Sequence, residues 1–407
     1  MDLLDKEYAK KEILNILGNN ANNERIKSEL ALLNDKNYIE ILLAKKITDY
    51  LINHNEYYDV RGVYPNLYIN YLLGITKIDP TNNNTLLPYE LLFENDKKPL
   101  VYEINVSTNI KDKLIKYLNE LVNNTLVMGY YYDDDGNKQE IDFKCFIPLN
   151  NDIDLTKDYN FGESDNPNYI KINILGLKNY DDINYFINKY GYPKYDIFSN
   201  ERIKDEIFEK NNISGLLTKS KNIVNMLKLV NKENMTFDTY VYILGAIHGT
   251  NILEQIEGEI IDSKRIHDYP TSRDKIYELC KELGKSHEDA IRIAILSRKR
   301  ICDRDKYFDE WAKLVEGLPE YLIKYLFKIK YTFPLANLIN TAKLDYLEMY
   351  YKLNVHDYYE VKLGKYLKIF NKLDKEEIEL LTDDLVNNHN SNYDNNLRLY
   401  LEYKNRA

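Results

Sequence analysis

Cysteine is scarce. The chain has 3 in 407 residues, Cys145, Cys280 and Cys302, and none stand at C-x-x-C spacing. That excludes a disulfide framework and a zinc ribbon, and the expected state is free thiols in a reducing cytoplasm. Long apolar runs are also missing: no stretch reaches the ~20 uncharged apolar residues that span a bilayer, so no membrane partner is expected. The start, Met1-Asp-Leu-Leu-Asp-Lys-Glu7, is charged and no apolar h-region follows, so no leader is expected and the expected location is cytoplasmic. Positive charge is in deficit, with 55 Lys and Arg against 65 Asp and Glu and a net charge of −10. A protein that coats nucleic acid replaces phosphate counterions with a basic surface, so the balance argues against that class. It leaves room for a basic groove on one face.

What is present is ample core material. Hydrophobic residues make up 44% and aromatic residues 13%, including 38 Tyr. Length gives roughly two to three domains. The heavy use of Asn, Lys, Ile and Tyr points to an AT-rich genome, such as that of a phage or a low-GC bacterium. Residues 1–58 read as an N-terminal helical region, because apolar residues recur at helical spacing through Glu24–Leu33 and Tyr38–Leu51. Residues 59–80 read as a loop with a short apolar segment. Strand patterns follow at 100–106, 126–132, 141–147 and 169–175, with a helical pattern over Lys111–Val122. Asp135-Gly136 between two apolar runs predicts a hairpin. From 181 onward the periodicity is helical almost throughout, with Pro319 and Pro334 placed at helix starts. The Asn-rich piece Asn387–Asn396 reads as a loop in an otherwise helical tail. The pattern is therefore helix-rich α+β.

Several segments together carry a resemblance. They are Met235–Thr250, ending in His-Gly-Thr; Thr271-Ser-Arg-Asp-Lys-Ile276; Glu288–Lys299; and Lys328-Ile-Lys-Tyr-Thr-Phe-Pro-Leu-Ala-Asn337. In order and spacing these resemble the fingers signatures of the bacterial DNA polymerase III α subunit of the PolC type. Arg25–Leu51, Arg61-Gly62, Leu73–Pro80, Pro88–Phe93, Phe146–Pro148 and Lys171–Gly176 resemble its palm more loosely. The resemblance covers roughly residues 24–365 in patches. It implies a polymerase-β-like small mixed palm over 59–180, a large all-helical fingers-like domain over 181–363, and a helical tail over 364–407. Its exonuclease, phosphoesterase and C-terminal DNA-binding modules have no counterpart in this length. No Gln-x-x-Leu-Phe clamp peptide is visible, the only glutamines being Gln139 and Gln255.

The departures from that family bear on function. Such polymerases hold two metal ions about 3.5–4 Å apart with carboxylates. The family places two of these Asp in Pro-Asp-Ile-Asp-Leu; the matching strand here reads Leu100-Val101-Tyr102-Glu103-Ile104. The third stands in the family's Leu-Asp-Ile-Leu-Gly, which here is Ile172-Asn173-Ile174-Leu175-Gly176. One carboxylate of three remains, at Glu103. The family's glycine- and serine-rich phosphate loop has become Asp59-Val-Arg-Gly-Val-Tyr-Pro-Asn66, where Tyr64 and Pro65 replace residues whose N–H groups would approach a phosphate. In the fingers signature, Leu335 and Asn337 stand where the family has Lys and His.

The expected protein is therefore a catalytically inactive pseudo-polymerase. It would be associated with replication and bind nucleic acid or a protein partner, with no metal and no cofactor. Mg²⁺ would enter only with residual polymerase activity. The alternatives are a minimal or split polymerase completed by another chain, and a structural subunit of a larger assembly. No residue is assigned as catalytic; Val101, Glu103 and Asn173 mark the degenerate positions. The nucleic-acid-binding candidates are Arg61, His248, Arg292, Arg298, Lys299, Arg300, Lys328 and Lys330. The basic ones in α-helical register over 285–306 have a solvated face as the plain alternative. His248 reads first as a structural cap. Tyr132-Asp133-Asp134 resembles a reverse-transcriptase hairpin, but an Asp-Gly turn explains it without catalysis. Among the tyrosines, Tyr240, Tyr242, Tyr346, Tyr350 and Tyr351 read mainly as core, and others must lie exposed at surfaces suited to a partner.

Overall fold

Helix starts are marked chemically along the whole chain. Asp5 accepts a hydrogen bond from the N–H of Tyr8, and Asn23 from that of Arg25. Asn34 and Asn37 form a reciprocal capping box. Further on, Ser220, Thr236, Ser272 and Ser286 each accept from the N–H three residues ahead. Each cap satisfies an N–H that the helix itself leaves unpaired, which is why these residues stop one element and start the next. The computed structural model describes residues 2–82, 87–92, 100–132, 138–149, 168–230, 235–250, 252–260, 268–298, 305–374, 376–381 and 391–406. The chain divides into two units, Met1–Asn184 and Tyr185–Ala407.

The first unit contains helices α1 (Lys6–Leu17), α2 (Glu24–Leu32), α3 (Asp35–Asn53), α4 (Tyr68–Leu72) and α5 (Thr108–Leu121), with α6 (Lys178–Tyr190) running on past its end. Its sheet is built from β1 (Asp59–Val60), β2 (Tyr102–Val106), β3 (Val127–Tyr132), β4 (Lys138–Pro148) and β5 (Tyr169–Gly176). The strand order is β1-β2-β5-β4-β3. β2 and β5 run parallel; the other pairs are antiparallel. β3 and β4 pair as the Asp-Gly signal predicts, while the turn at 133–137, including Asp133 and Asp134, lies outside the described residues. Gly129 sits at a register shift in this pair, where a Cβ would meet Phe146 Cε2 at 2.9 Å and Lys144 Cβ at 3.0 Å.

Alternation sorts the sheet into two faces. Tyr102, Ile104 and Val106 of β2, Ile170, Ile172 and Ile174 of β5, and Cys145 and Ile147 of β4 are buried in one apolar core. The same core takes Ile39, Leu42, Leu43 and Ile47 of α3 and Ile110, Leu114 and Leu118 of α5. The N-terminal helices and the sheet therefore share one hydrophobic interior. The stretch 59–80, read from sequence as loop, also contains β1 and α4. β1 forms because Asp59 and Val60 find the edge of β2.

Two buried carboxylates pin backbone to this core. Glu29 on α2 accepts from the N–H groups of Tyr68 (2.8 Å) and Ile69 (2.9 Å), capping α4, and pairs with Arg25 at 3.0 Å. Glu40 on α3 accepts from the N–H of Leu100 (2.8 Å) and from Asn37 Nδ2 (2.9 Å), fixing the entry to β2.

The second unit is helical: α7 (Glu201–Lys204) running into a π-turn at Asp205–Glu209, α8 (Lys221–Leu229), α9 (Phe237–His248), α10 (Leu253–Ile260), α11 (Arg273–Glu282), α12 (His287–Ser297), α13 (Asp305–Leu314), α14 (Glu320–Lys328), α15 (Leu335–Asn354), α16 (Tyr358–Leu363), α17 (Lys365–Phe370) and α18 (Ser391–Arg406). Pro319 and Pro334 are the N-caps of α14 and α15. Tyr240, Tyr346 and Tyr351 are fully buried, as the core reading expects. The expected loop at Asn387–Asn396 is corrected from Ser391 on, where α18 begins; residues 382–390 lie outside the described residues. Burial of Leu397, Leu399 and Tyr400 holds that helix, and tertiary packing outweighs the low helix propensity of its asparagines. Cys145 and Cys280 are buried free thiols, with burial pushing both up to about 12.

Burial pushes the Glu40 carboxyl up to about 7, against the opposing pull of Lys36 and Asn37. A carboxyl raised in the folded state contributes fully to stability below its unfolded value near 4.5 and loses that contribution as pH climbs through 7. The denaturant midpoint of the first unit is therefore expected to fall between pH 5 and pH 8, by up to about 3 kcal/mol in stability. In Glu40→Gln this part of the decline is expected to vanish, as urea titrations of both proteins at the two pH values would read.

Candidate functional site

The parallel pairing of β2 with β5 sets Tyr102 opposite Ile172 and Glu103 opposite Asn173. Asn173 Nδ2 donates to Glu103 Oε1 at 3.0 Å. Val101 precedes β2 and is half-buried. Two of the three positions singled out by the resemblance thus touch, and the third lies two residues from Glu103 on the same strand path. Asn173 is buried, whereas Glu103 is half-buried. On the other side Arg61 donates its backbone N–H to the Glu103 carbonyl at 2.8 Å, extending the β1 ladder by one step.

Around this pair the face is polar. Asn105 Nδ2 donates to Asp59 Oδ1 at 3.0 Å, and the Tyr180 hydroxyl also donates to Asp59. Burial raises the Asp59 carboxyl, with Tyr180 and Arg61 opposing. Lys144 stands opposite Asn173 from β4. Lys171 is half-buried; burial lowers its ammonium, Lys144 lowers it further, and Glu103 opposes both.

The loop after β1 is closed by its own side chains. Gly62 adopts φ +81° with the Tyr64 ring against it, and that ring stacks on Tyr102 with centroids 4.8 Å apart. Asn70 Nδ2 donates to the Tyr64 carbonyl (2.9 Å), and the Tyr102 hydroxyl donates to Asn70 Oδ1 (2.9 Å). Pro65 is buried and has no N–H to offer.

Divalent ions of the polymerase type need oxygen ligands carrying negative charge. At this place one carboxylate accepts an amide N–H, an isopropyl group stands at 101, and ammonium groups occupy the same face. The donor set does not fit a two-metal centre. Among the described residues no three of His, Cys, Asp and Glu gather at metal-binding distance.

The remaining candidates lie in the second unit. Its signature segments converge through backbone contacts. Thr250 N–H donates to the Tyr331 carbonyl (3.1 Å) and Lys330 N–H to that of Thr250 (3.1 Å). Arg273 N–H donates to the Phe333 carbonyl (3.2 Å), and Leu335 N–H to Asp274 Oδ2 (2.7 Å). Gly245 lets α9 approach this junction, since a Cβ there would meet Thr271 Oγ1 at 2.5 Å and Leu338 Cδ1 at 2.9 Å. His248 is exposed at the end of α9, edge-on to Phe333 with centroids 6.1 Å apart. Lys328 and Lys330 are exposed, and the backbone N–H of Lys330 reaches Thr250, two residues after His248. Arg292 is ion-paired: its guanidinium forks onto Glu310 at 2.5 and 2.9 Å, joining α12 to α13, and lies over the Tyr307 ring. Arg298 is half-buried at the end of α12. Lys299 and Arg300 lie outside the described residues.

Sequence reasoning passed over the buried polar residues of this unit. Asp345 accepts from Thr218 and from the Tyr240 hydroxyl (3.0 Å), and burial pushes it up to about 7. Lys352 donates to Asn212 (2.7 Å) and Ser214 and pairs with Glu402 at 2.7 Å; Glu348 pairs with Lys362 at 2.8 Å. Their signal was charge at positions 345, 348 and 352, one side of an apolar helix.

Residues 4–129 match the model of the family described as bacterial DNA polymerase III alpha NTPase domain. That span runs from the residues before α1 into β3 and includes Arg61, Val101 and Glu103. This region is a DNA polymerase III alpha-like domain, and the helix-rich α+β fold agrees with it. No curated protein matches the chain. No helix among the described residues is long and apolar enough to cross a membrane.

Asn173→Asp would set two carboxylates opposite each other and remove the N–H that Glu103 accepts. Like charges so placed disfavour ionisation of both. The variant is expected to lose about 1–3 kcal/mol at pH 7, the scale of an unsatisfied buried acceptor, and to recover part of it at pH 5 as one carboxyl protonates. Paired thermal melts at the two pH values read this.

Proposed function

We propose that this chain is a non-catalytic derivative of a PolC-type polymerase core, acting in replication as a nucleic-acid- or replisome-binding protein or subunit. The hydrogen bond from Asn173 to Glu103 carries the reading. Two-metal nucleotidyl transfer uses carboxylates on adjacent palm strands to hold both ions against the attacking and leaving oxygens. Here the two facing positions satisfy each other, so the surviving carboxylate is held by an amide. Tyr64 packed over Tyr102 supports the same reading, because its ring fills the loop that would cradle a triphosphate. The protein needs no Mg²⁺ in this role. An origin in a phage or mobile element fits the composition.

A protein partner fits the exposed tyrosines of the second unit. Tyr192 and Tyr195 are 55 and 51% exposed, and tyrosine is enriched where a ring buries against a partner while its hydroxyl stays hydrated. Such a partner would carry the specificity that the palm no longer supplies.

The test is primer extension on a defined template with Mg²⁺ or Mn²⁺. No template-directed extension above a no-protein control is expected. Extension that disappears in Glu103→Ala would contradict the reading.

A further inference from the structure

Four chain segments meet at one level of the N-terminal sheet. Arg61 stands opposite Glu103 through its backbone hydrogen bond, Glu103 opposite Asn173, and Asn173 opposite Lys144. Residues directly opposite across a ladder project from the same face. That face therefore presents Arg61, Glu103, Asn173 and Lys144 in a row, turned away from the apolar core. Lys171 is two residues before Asn173 on β5 and so projects from the same side. It is diagonal to Lys144, at a spacing of about 7–8 Å that long side chains bridge. By register it also lies beside Val101, since Tyr102 faces Ile172.

The charge on this face is distinctive. Arg61, Lys144 and Lys171 share the face with two carboxylates, of which Glu103 already accepts from Asn173 and Asp59 already accepts from Asn105 and Tyr180. No salt bridge closes Arg61, Lys144 or Lys171 among the described residues. Lys171 is half-buried and its ammonium lies 5.8 Å from the Phe146 ring. A desolvated ammonium gains most from a counter-charge that arrives with a ligand. The plain alternative is snorkelling, in which the stem packs on Phe146 and the head stays hydrated. It accounts for Lys171 and for Lys144, whose ammonium lies 5.8 Å from the centroid of the Phe143 ring. It does not account for cations from three separate segments meeting on one face of a chain with net charge −10.

We propose that this face binds a phosphate group directly, without a divalent ion, through Arg61, Lys144 and Lys171. The proposal rests on the non-catalytic reading above, and it gives that reading a ligand. Free polyphosphate and the backbone of nucleic acid share the required chemistry, a tetrahedral oxyanion of one or more negative charges. Glu103 limits how much negative charge the face accepts, and Asn173 keeps that carboxylate turned toward β5.

The experiment measures binding in EDTA with two probes, inorganic tripolyphosphate by calorimetry and a labelled single-stranded oligonucleotide by anisotropy. Binding of at least one probe is expected without metal, weakening with salt. Binding of the oligonucleotide alone assigns the site to a nucleic-acid backbone; binding of tripolyphosphate assigns it to free polyphosphate. Lys144→Ala/Lys171→Ala is expected to weaken binding at least about tenfold and, for the oligonucleotide, to lower the log–log salt slope by about 2. Glu103→Gln keeps an oxygen for the Asn173 amide and is expected to tighten binding, which a merely structural role would not do. Should the double variant fail to fold by circular dichroism, Lys144→Gln and Glu103→Gln carry the test in opposite directions. Binding that requires Mg²⁺, binding of neither probe, or binding unchanged in these variants overturns the proposal. Primer extension by the wild-type protein would instead overturn the non-catalytic reading, so the two failures are told apart.

Discussion

The parallel pairing of β2 with β5 is the constraint on which the N-terminal unit depends. It brings together positions 70 residues apart in sequence and sets Glu103 against Asn173. Its rear face gives the core Tyr102, Ile104, Ile172 and Ile174, all fully buried. The front face is what remains after that burial, so the polar residues there are placed by the needs of the core behind them. A slip of one residue would carry the isoleucines to the front and Glu103 into the apolar interior. The register that stabilises the fold is thus the register that assembles the candidate site.

A second principle recurs in both units. Carboxylates inside the protein are used to hold backbone. Glu29 takes two N–H groups at the start of α4, Glu40 takes the N–H of Leu100 before β2, and Asp274 takes that of Leu335 at the start of α15. Burying a charge is costly unless hydrogen bonds compensate it, so each such group fixes the geometry around it tightly. Glu40 and Glu29 support the strand and helix that flank the Arg61 loop. They position this part of the sheet, so its shape does not depend on which side chains stand on its front face.

The fold was largely legible in the sequence because its signals are local. Helical periodicity ran almost throughout the second unit, Pro319 and Pro334 stood at helix starts, and Asp135-Gly136 announced the β3–β4 pair. What escaped notice depends on tertiary contact. β1 is two residues long and exists only against β2. α18 forms across an asparagine-rich start because Leu397, Leu399 and Tyr400 find a core. At the site, Val101, Glu103 and Asn173 were singled out by resemblance alone, but the hydrogen bond between two of them follows from strand order, which no local pattern carries. The same holds for Lys144 and Lys171. Their placement beside Asn173 and Val101 is a matter of register, and in the sequence they are two ordinary lysines among many. Arg292, chosen as part of a basic helix, turns out to be held by Glu310, eighteen residues away.

On the proposed reading, the hydrogen bond from Asn173 holds Glu103 away from any divalent ion. Crystals soaked in manganese chloride, with data collected to reveal anomalous scattering, test it directly. Asn173 Nδ2 is expected within hydrogen-bonding distance of Glu103 Oε1, with no anomalous peak between β2 and β5. A manganese ion ligated by Glu103, with the Asn173 amide turned aside, would contradict it.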